Sequence, residues 1–212
     1  MTTEVYSDEE LNYFRLCHIM TNVVAEALRV FFKQQWHHLY VRWGTFGEWR
    51  DVRSNGRDFC ANPEDREGEY FEYIRAGNTA KWDCSTLFFV LGRSHCIGRH
   101  LNSDSKDAMC DLSYIRNTFY GHIPYARIND AKFKNLVDRI EHALQVLGLS
   151  TDQIQVVRNQ KSFPTEELNK VQKEVEKLEQ QNKVLEAQLN KDISSFYVLR
   201  SEEHTSELQS QR

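Results

Sequence analysis

The sequence predicts an all-α protein: a bundle of four to five helices followed by a C-terminal coiled-coil helix. Three observations carry that expectation. Apolar residues return at three- and four-residue steps over long stretches, helix-ending signals separate those stretches, and no run alternates convincingly with the period of two that a strand ladder needs.

The first helix begins at "SDEELNYF", where Ser7 stands three residues ahead of Glu10 in a capping-box arrangement. From Leu11 to Trp36 the residues Leu11, Phe14, Ile19, Val23, Val24, Ala27, Leu28, Phe31 and Phe32 form one buried stripe, and the Cys17-His18 pair within it reads as packing. The stretch from Trp43 to Phe59 carries three glycines and an Asn-Gly pair, which predicts an ordered loop pinned to the body by its tryptophans. "EDREGEYFEYIRAGNT" reads as a short helix ended by Gly77. Trp82 to Ser94 is apolar enough for a central helix buried on most sides, and "NSDSKD" leads into another from about Ser105 to Tyr120. Asn129 or Asp130 can cap the next, whose stripe of Phe133, Leu136, Val137, Ile140, Ala143, Leu144 and Leu147 ends before Gly148. A short helix in "STDQIQVVRNQ" completes a bundle over residues 8–160.

Pro164 then stops the chain and Thr165 can cap a new helix over 165–198. Its period is the heptad: Leu168, Val175, Asn182 and Leu189 at a, with Val171, Leu178 and Leu185 at d. Asn182 at an a position favours a parallel two-stranded coil, since paired asparagines select that register; a lone exposed helix is the open alternative. Residues 200–212, which include "RSEEHTSELQS", match the translation of a sequencing adapter and are set aside as an assembly artefact. On that reading the natural protein continues further, and signalling domains downstream are missing from this chain.

The formal charge of −4 provides no general basic field, so nucleic acid would have to be gripped at a local patch. The opening "MTTEVYSDEE" is acidic where a secretory signal is basic and then apolar, and no apolar run reaches membrane-spanning length. A cytoplasmic protein with no membrane partner is expected. Five widely spaced cysteines without a C-x-x-C pair read as reduced thiols. His95, Cys96 and His100 are close in sequence, but structural zinc usually takes four clustered ligands, so neither metal nor cofactor is expected.

The chemistry-bearing stretch is "SYIRNTFYGHIPY", Ser113 to Tyr125. Arg116 and His122 are six residues apart, about 120° around a straight helix, and would not share a face. Gly121 and Pro124 should end the helix near His122 and let the imidazole turn back toward Arg116 or toward a second copy across a dimer axis. A guanidinium can grip a phosphate and stabilise charge on its oxygens. An imidazole can move protons between a ribose 2′-hydroxyl and a leaving oxygen, and Asn117 can orient either group. An arginine–carboxylate bridge plus a histidine at a helix end is the structural alternative.

"RNTFYGH" resembles the R-x4–6-H signature of the HEPN superfamily (higher eukaryotes and prokaryotes nucleotide-binding domain). "NYFRLCHIMTNVVAEALRVFF", "GNTAKWDCSTLFF" and "LGLSTDQIQVVRNQKSFPTEEL" resemble one branch, the HEPN domain of the DAZ-interacting zinc-finger ubiquitin ligase, over roughly Leu11 to Leu168. The resemblance implies a helical bundle that pairs through its motif helices, as a homodimer. It further implies RNA binding and a candidate metal-independent endoribonuclease in innate immune or stress signalling. Arg116 and His122 fall on the signature positions, and Asn117 on the polar position after the arginine. Asp83 in "KWDCS" is a candidate carboxylate partner for Arg116. The alternative is a catalytically idle dimerisation module, an adaptor within a larger signalling protein.

Overall fold

The computed structural model describes residues 6–66, 68, 70–122 and 126–161 together with positions 173 and 180, with the backbone alone described at 119–122. The chain divides after Val171 into two units, and the first contains the fold described below. Pro164, Thr165, the seven heptad positions and the adapter-like tail lie outside the described residues.

Every regular element among the described residues is helical, as expected. Helices α1 (Asp8–His18) and α2 (Ala25–Trp36) run on through a π-helical stretch, Ile19–Val24, and α2 continues into a second one, His37–Val41. Ser7 and Glu10 form the capping box at its start. Within the first π stretch the Thr21 hydroxyl donates to the Cys17 carbonyl at 2.9 Å, competing for an acceptor that the helical ladder would use. The expected stripe is buried at Ile19, Val24, Leu28, Phe31 and Phe32, whereas Leu11, Phe14, Val23 and Ala27 are half-buried at its margin; burial pushes the Cys17 thiol pKa far up.

Helices α3 (Arg53–Phe59) and α4 (Phe71–Ala76) pack on each other, followed by α5 (Cys84–Gly92), α6 (Ser103–His122), α7 (Asp130–Val146) and α8 (Asp152–Arg158). α6 lies against both α5 and α7, α5 against α2, and α7 and α8 against α1. Asn129 is the α7 cap, through its side chain and the Lys132 amide, and the expected α7 stripe faces the core. After α6 the chain returns to α1: buried Asn12 donates to the Ile128 carbonyl and to Asp130, and the Ile128 amide donates to the Glu9 carbonyl at 3.0 Å.

The segment from Trp43 to Phe59 departs from the expected loop. Its Asn-Gly pair lies inside α3: buried Asn55 folds back on the Glu48 carbonyl and the Arg50 amide, and a Cβ on Gly56 would stand 2.4 Å from the Arg75 carbonyl oxygen. Glycine is needed there for close approach of two helices. Gly77 ends α4 with a left-handed φ of 72° and faces the Val52 carbonyl just as tightly. Of the two tryptophans only Trp49 pins the segment, edge-on to Phe32; Trp43 is 72% exposed.

Asp51, left-handed at φ 58°, ties this segment to its neighbours. Its carboxylate accepts from the Thr79 amide at 2.9 Å, from the Thr79 hydroxyl, from Trp49 Nε1 and from Lys33 on α2. Burial works against its charge, but the bonds from Lys33 and Thr79 prevail and hold its pKa at about 2. A carboxyl lowered in the fold contributes stability above its unfolded value, near 4, and loses it as pH falls toward 2. Asp51→Asn is expected to cost about 1–3 kcal/mol at neutral pH and to flatten the stability loss between about pH 4 and 2, measured by urea unfolding across pH. An unchanged acid limb would exclude Asp51 from that role.

Candidate functional site

Asp83 caps α5, its carboxylate accepting from the Thr86 amide and hydroxyl at 2.9 Å each. Ser85 therefore sits in the first turn of α5, half-buried, facing α6. The approach to that turn is fixed by Arg29, which donates to the carbonyls of Thr79 and Trp82 at 2.8 Å each. Trp82 is fully buried, edge-on to Phe32, and donates its indole N–H to the Tyr73 carbonyl.

Arg116 reaches this turn from α6. Its Nη2 donates to Ser85 Oγ and its Nη1 to Asn117 Oδ1 at 3.0 Å. Its Nε is buried without a hydrogen-bond partner, and no other buried side-chain nitrogen or oxygen among the described residues is left in that state. A buried donor left unmade costs about 1–3 kcal/mol, so one reserved at a charged side chain calls for an acceptor. The guanidinium also stands beside the positive end of α5, where an anion is favoured and a cation is not.

Of the three sequence-predicted site residues, Arg116 and Asn117 are thus brought together. The α6 backbone runs as far as His122, close to the expected exit at Gly121 and Pro124, about 9 Å along the axis from Arg116. The His122 side chain lies outside the described residues. The arginine's bond to α5 lands on Ser85, two residues beyond Asp83, whose carboxylate serves the cap. Ser85 was not among the residues singled out in the sequence. Its signal was the cap box "DCST", which places residue 85 in a first turn.

Cys96 and His95 have partners of their own away from Arg116. Cys96 Sγ donates to Tyr40 Oη at 3.3 Å, and burial pushes its pKa up to about 12. His95 pairs with Glu64, and among the described residues no three His, Cys, Asp or Glu side chains are placed to hold a metal ion. No described helix is long and apolar enough to cross a membrane.

Residues 85–170 match the family model described as DZIP3/hRUL138-like HEPN. The resemblance drawn from the sequence is borne out over those residues, which begin at Ser85 and include Arg116, Asn117 and His122. Neither a curated protein nor a solved structure matches the chain.

Ser85→Ala removes the tie between α5 and α6 at Arg116. It is expected to lower stability by about 0.5–1.5 kcal/mol in urea unfolding, with Ser85→Thr retaining most of it. Equal stability of all three chains would mean that the bond holds nothing.

Proposed function

On the premise that residues 85–170 form a HEPN-type module of the DZIP3/hRUL138-like branch, we propose that Arg116 is the phosphate grip of a single-stranded RNA site. The observation that carries the reading is the buried, unpartnered Nε. One N–H on each of the two Nη nitrogens is already bound, to Asn117 and to Ser85, so the group is pre-oriented with its Nε–H in reserve for a phosphodiester oxygen.

The finer reading is a metal-independent endoribonuclease acting as a dimer in innate immune or stress signalling. One His122 imidazole accepts the proton of a ribose 2′-hydroxyl, whose oxygen attacks phosphorus. The bond to the 5′-oxygen breaks, and the second copy's imidazolium returns a proton to that oxygen. The products are a 2′,3′-cyclic phosphate and a 5′-hydroxyl, and Arg116 stabilises the charge that develops on phosphorus oxygens. The second reading, an idle dimerising adaptor, draws on the Arg116–Ser85 bond, which also serves as a structural tie.

Full-length protein is expected to cleave mixed single-stranded RNA in chelator to cyclic-phosphate ends. Arg116→Ala should weaken RNA binding about 10–100-fold, and His122→Ala should abolish cleavage while leaving melting and self-association intact. A folded dimer that neither binds nor cuts RNA would establish the adaptor instead.

A further inference from the structure

Between Lys33 and Lys81 the chain uses arginine and no lysine: Arg42, Arg50, Arg53, Arg57, Arg66 and Arg75. Three of these are committed within the fold. Arg42 lies over the Trp43 ring, Arg66 donates to the carbonyls of Cys60 and Ala61, and Arg75 bonds Glu72. Arg50, Arg53 and Arg57 are all exposed, and their guanidinium groups make no hydrogen bond or ion pair among the described residues.

Local structure gathers the three. Arg53 and Arg57 stand four residues apart in α3, so they share a face and lie about 6 Å apart along its axis. Arg50 is drawn to the same helix, because its amide donates to Asn55 Oδ1 at 2.7 Å. Val52, 46% exposed, comes between Arg50 and Arg53 and adds an apolar contact. Buried Asn55 and the close crossing at Gly56 fix the backbone beneath them, so the face is presented without further ordering. The acids nearby are engaged or turned aside. Glu48 pairs with His37 at 2.9 Å, and Asp51 holds Lys33, Trp49 and Thr79. Asp58 is half-buried and turned about 100° around the axis from Arg57.

We propose that Arg50, Arg53 and Arg57 dock an acidic segment of a partner protein, an extended stretch with carboxylates on alternate residues. Side chains two apart in an extended strand point to the same side, about 7 Å apart, which matches the spacing of Arg53 and Arg57. Guanidinium forks meet carboxylates bidentately, and protein interfaces favour arginine over lysine. An anionic membrane is read by clusters of about four to eight cations, so three are a poorer fit. The formal charge of −4 supplies no wider field for a polyanion such as nucleic acid. The surface requires nothing of Arg116 or His122, so it stands apart from the RNA reading.

The test is fluorescence anisotropy of the full chain with a labelled heptapeptide alternating glutamate and serine, beside its glutamine counterpart and a labelled single-stranded oligoribonucleotide, with co-sedimentation on phosphatidylserine vesicles. The glutamate peptide should bind with a submillimolar Kd, and its affinity should fall severalfold as salt is raised from about 50 to about 150 mM. Arg53→Glu and Arg57→Glu should each weaken it at least fivefold with melting unchanged, since both side chains are exposed and unpaired. Arg53→Lys combined with Arg57→Lys should lose part of the affinity, and Arg116→Ala should bind as the parent does. A folded parent that leaves the glutamate peptide unbound at millimolar concentration would overturn the proposal. Equal binding of the glutamine peptide, or undiminished binding by both charge reversals, would overturn it too. Vesicle or RNA binding that both reversals abolish, with the peptide unbound, would replace the acidic partner by that ligand.

Discussion

The Asp51 carboxylate is the constraint on which the candidate site depends. It accepts hydrogen bonds from α2, from its own segment and from Thr79. Thr79 opens the short turn Thr79–Lys81, whose exit is Trp82 and whose next residue, Asp83, caps α5. Arg29 grips the carbonyls at both ends of that turn. The orientation of Ser85, and through it the guanidinium of Arg116, is thus set by a charged network anchored on the long first helix. The backbone accepts a left-handed residue at position 51 because four donors hold the side chain there.

Aromatic packing supplies the rigid floor beneath that network. Phe32, Trp36, Trp49, Phe59 and Trp82 meet mainly edge-on or tilted, and each indole N–H among them finds an acceptor: Gly47 for Trp36, Asp51 for Trp49 and Tyr73 for Trp82. Satisfaction of buried polar groups is the rule across the described residues. The orphaned Nε of Arg116 is informative because its surroundings are otherwise paired. It stands where a helix end and a cation together raise the local potential, and its direction is fixed by the bonds of the same guanidinium to Ser85 and Asn117.

Much of this was legible in the sequence, and the parts that were not share a physical cause. Caps and periodicity are local signals, so the starts at Ser7 and Asn129 and the α7 stripe were readable. The Asn55-Gly56 pair misled because a turn dipeptide and a helix-crossing dipeptide look alike; the carbonyl of Arg75 that distinguishes them comes from another element. Trp43 and Trp49 likewise differ only in what lies opposite them. At the site, Arg116 and Asn117 stood out by residue type, whereas Ser85 acquires its role only through contact with α6, 31 residues later.

The account's central claim is that Arg116 holds one N–H in reserve for a phosphodiester. It is tested most directly by following the Arg116 Nε–H resonance in a ¹H–¹⁵N correlation spectrum while single-stranded RNA is added to the full-length protein. The account predicts a distinct resonance that moves downfield and becomes protected from exchange as RNA binds, absent in Arg116→Lys. A resonance unmoved at saturating RNA, or no RNA binding by the folded protein, would contradict it.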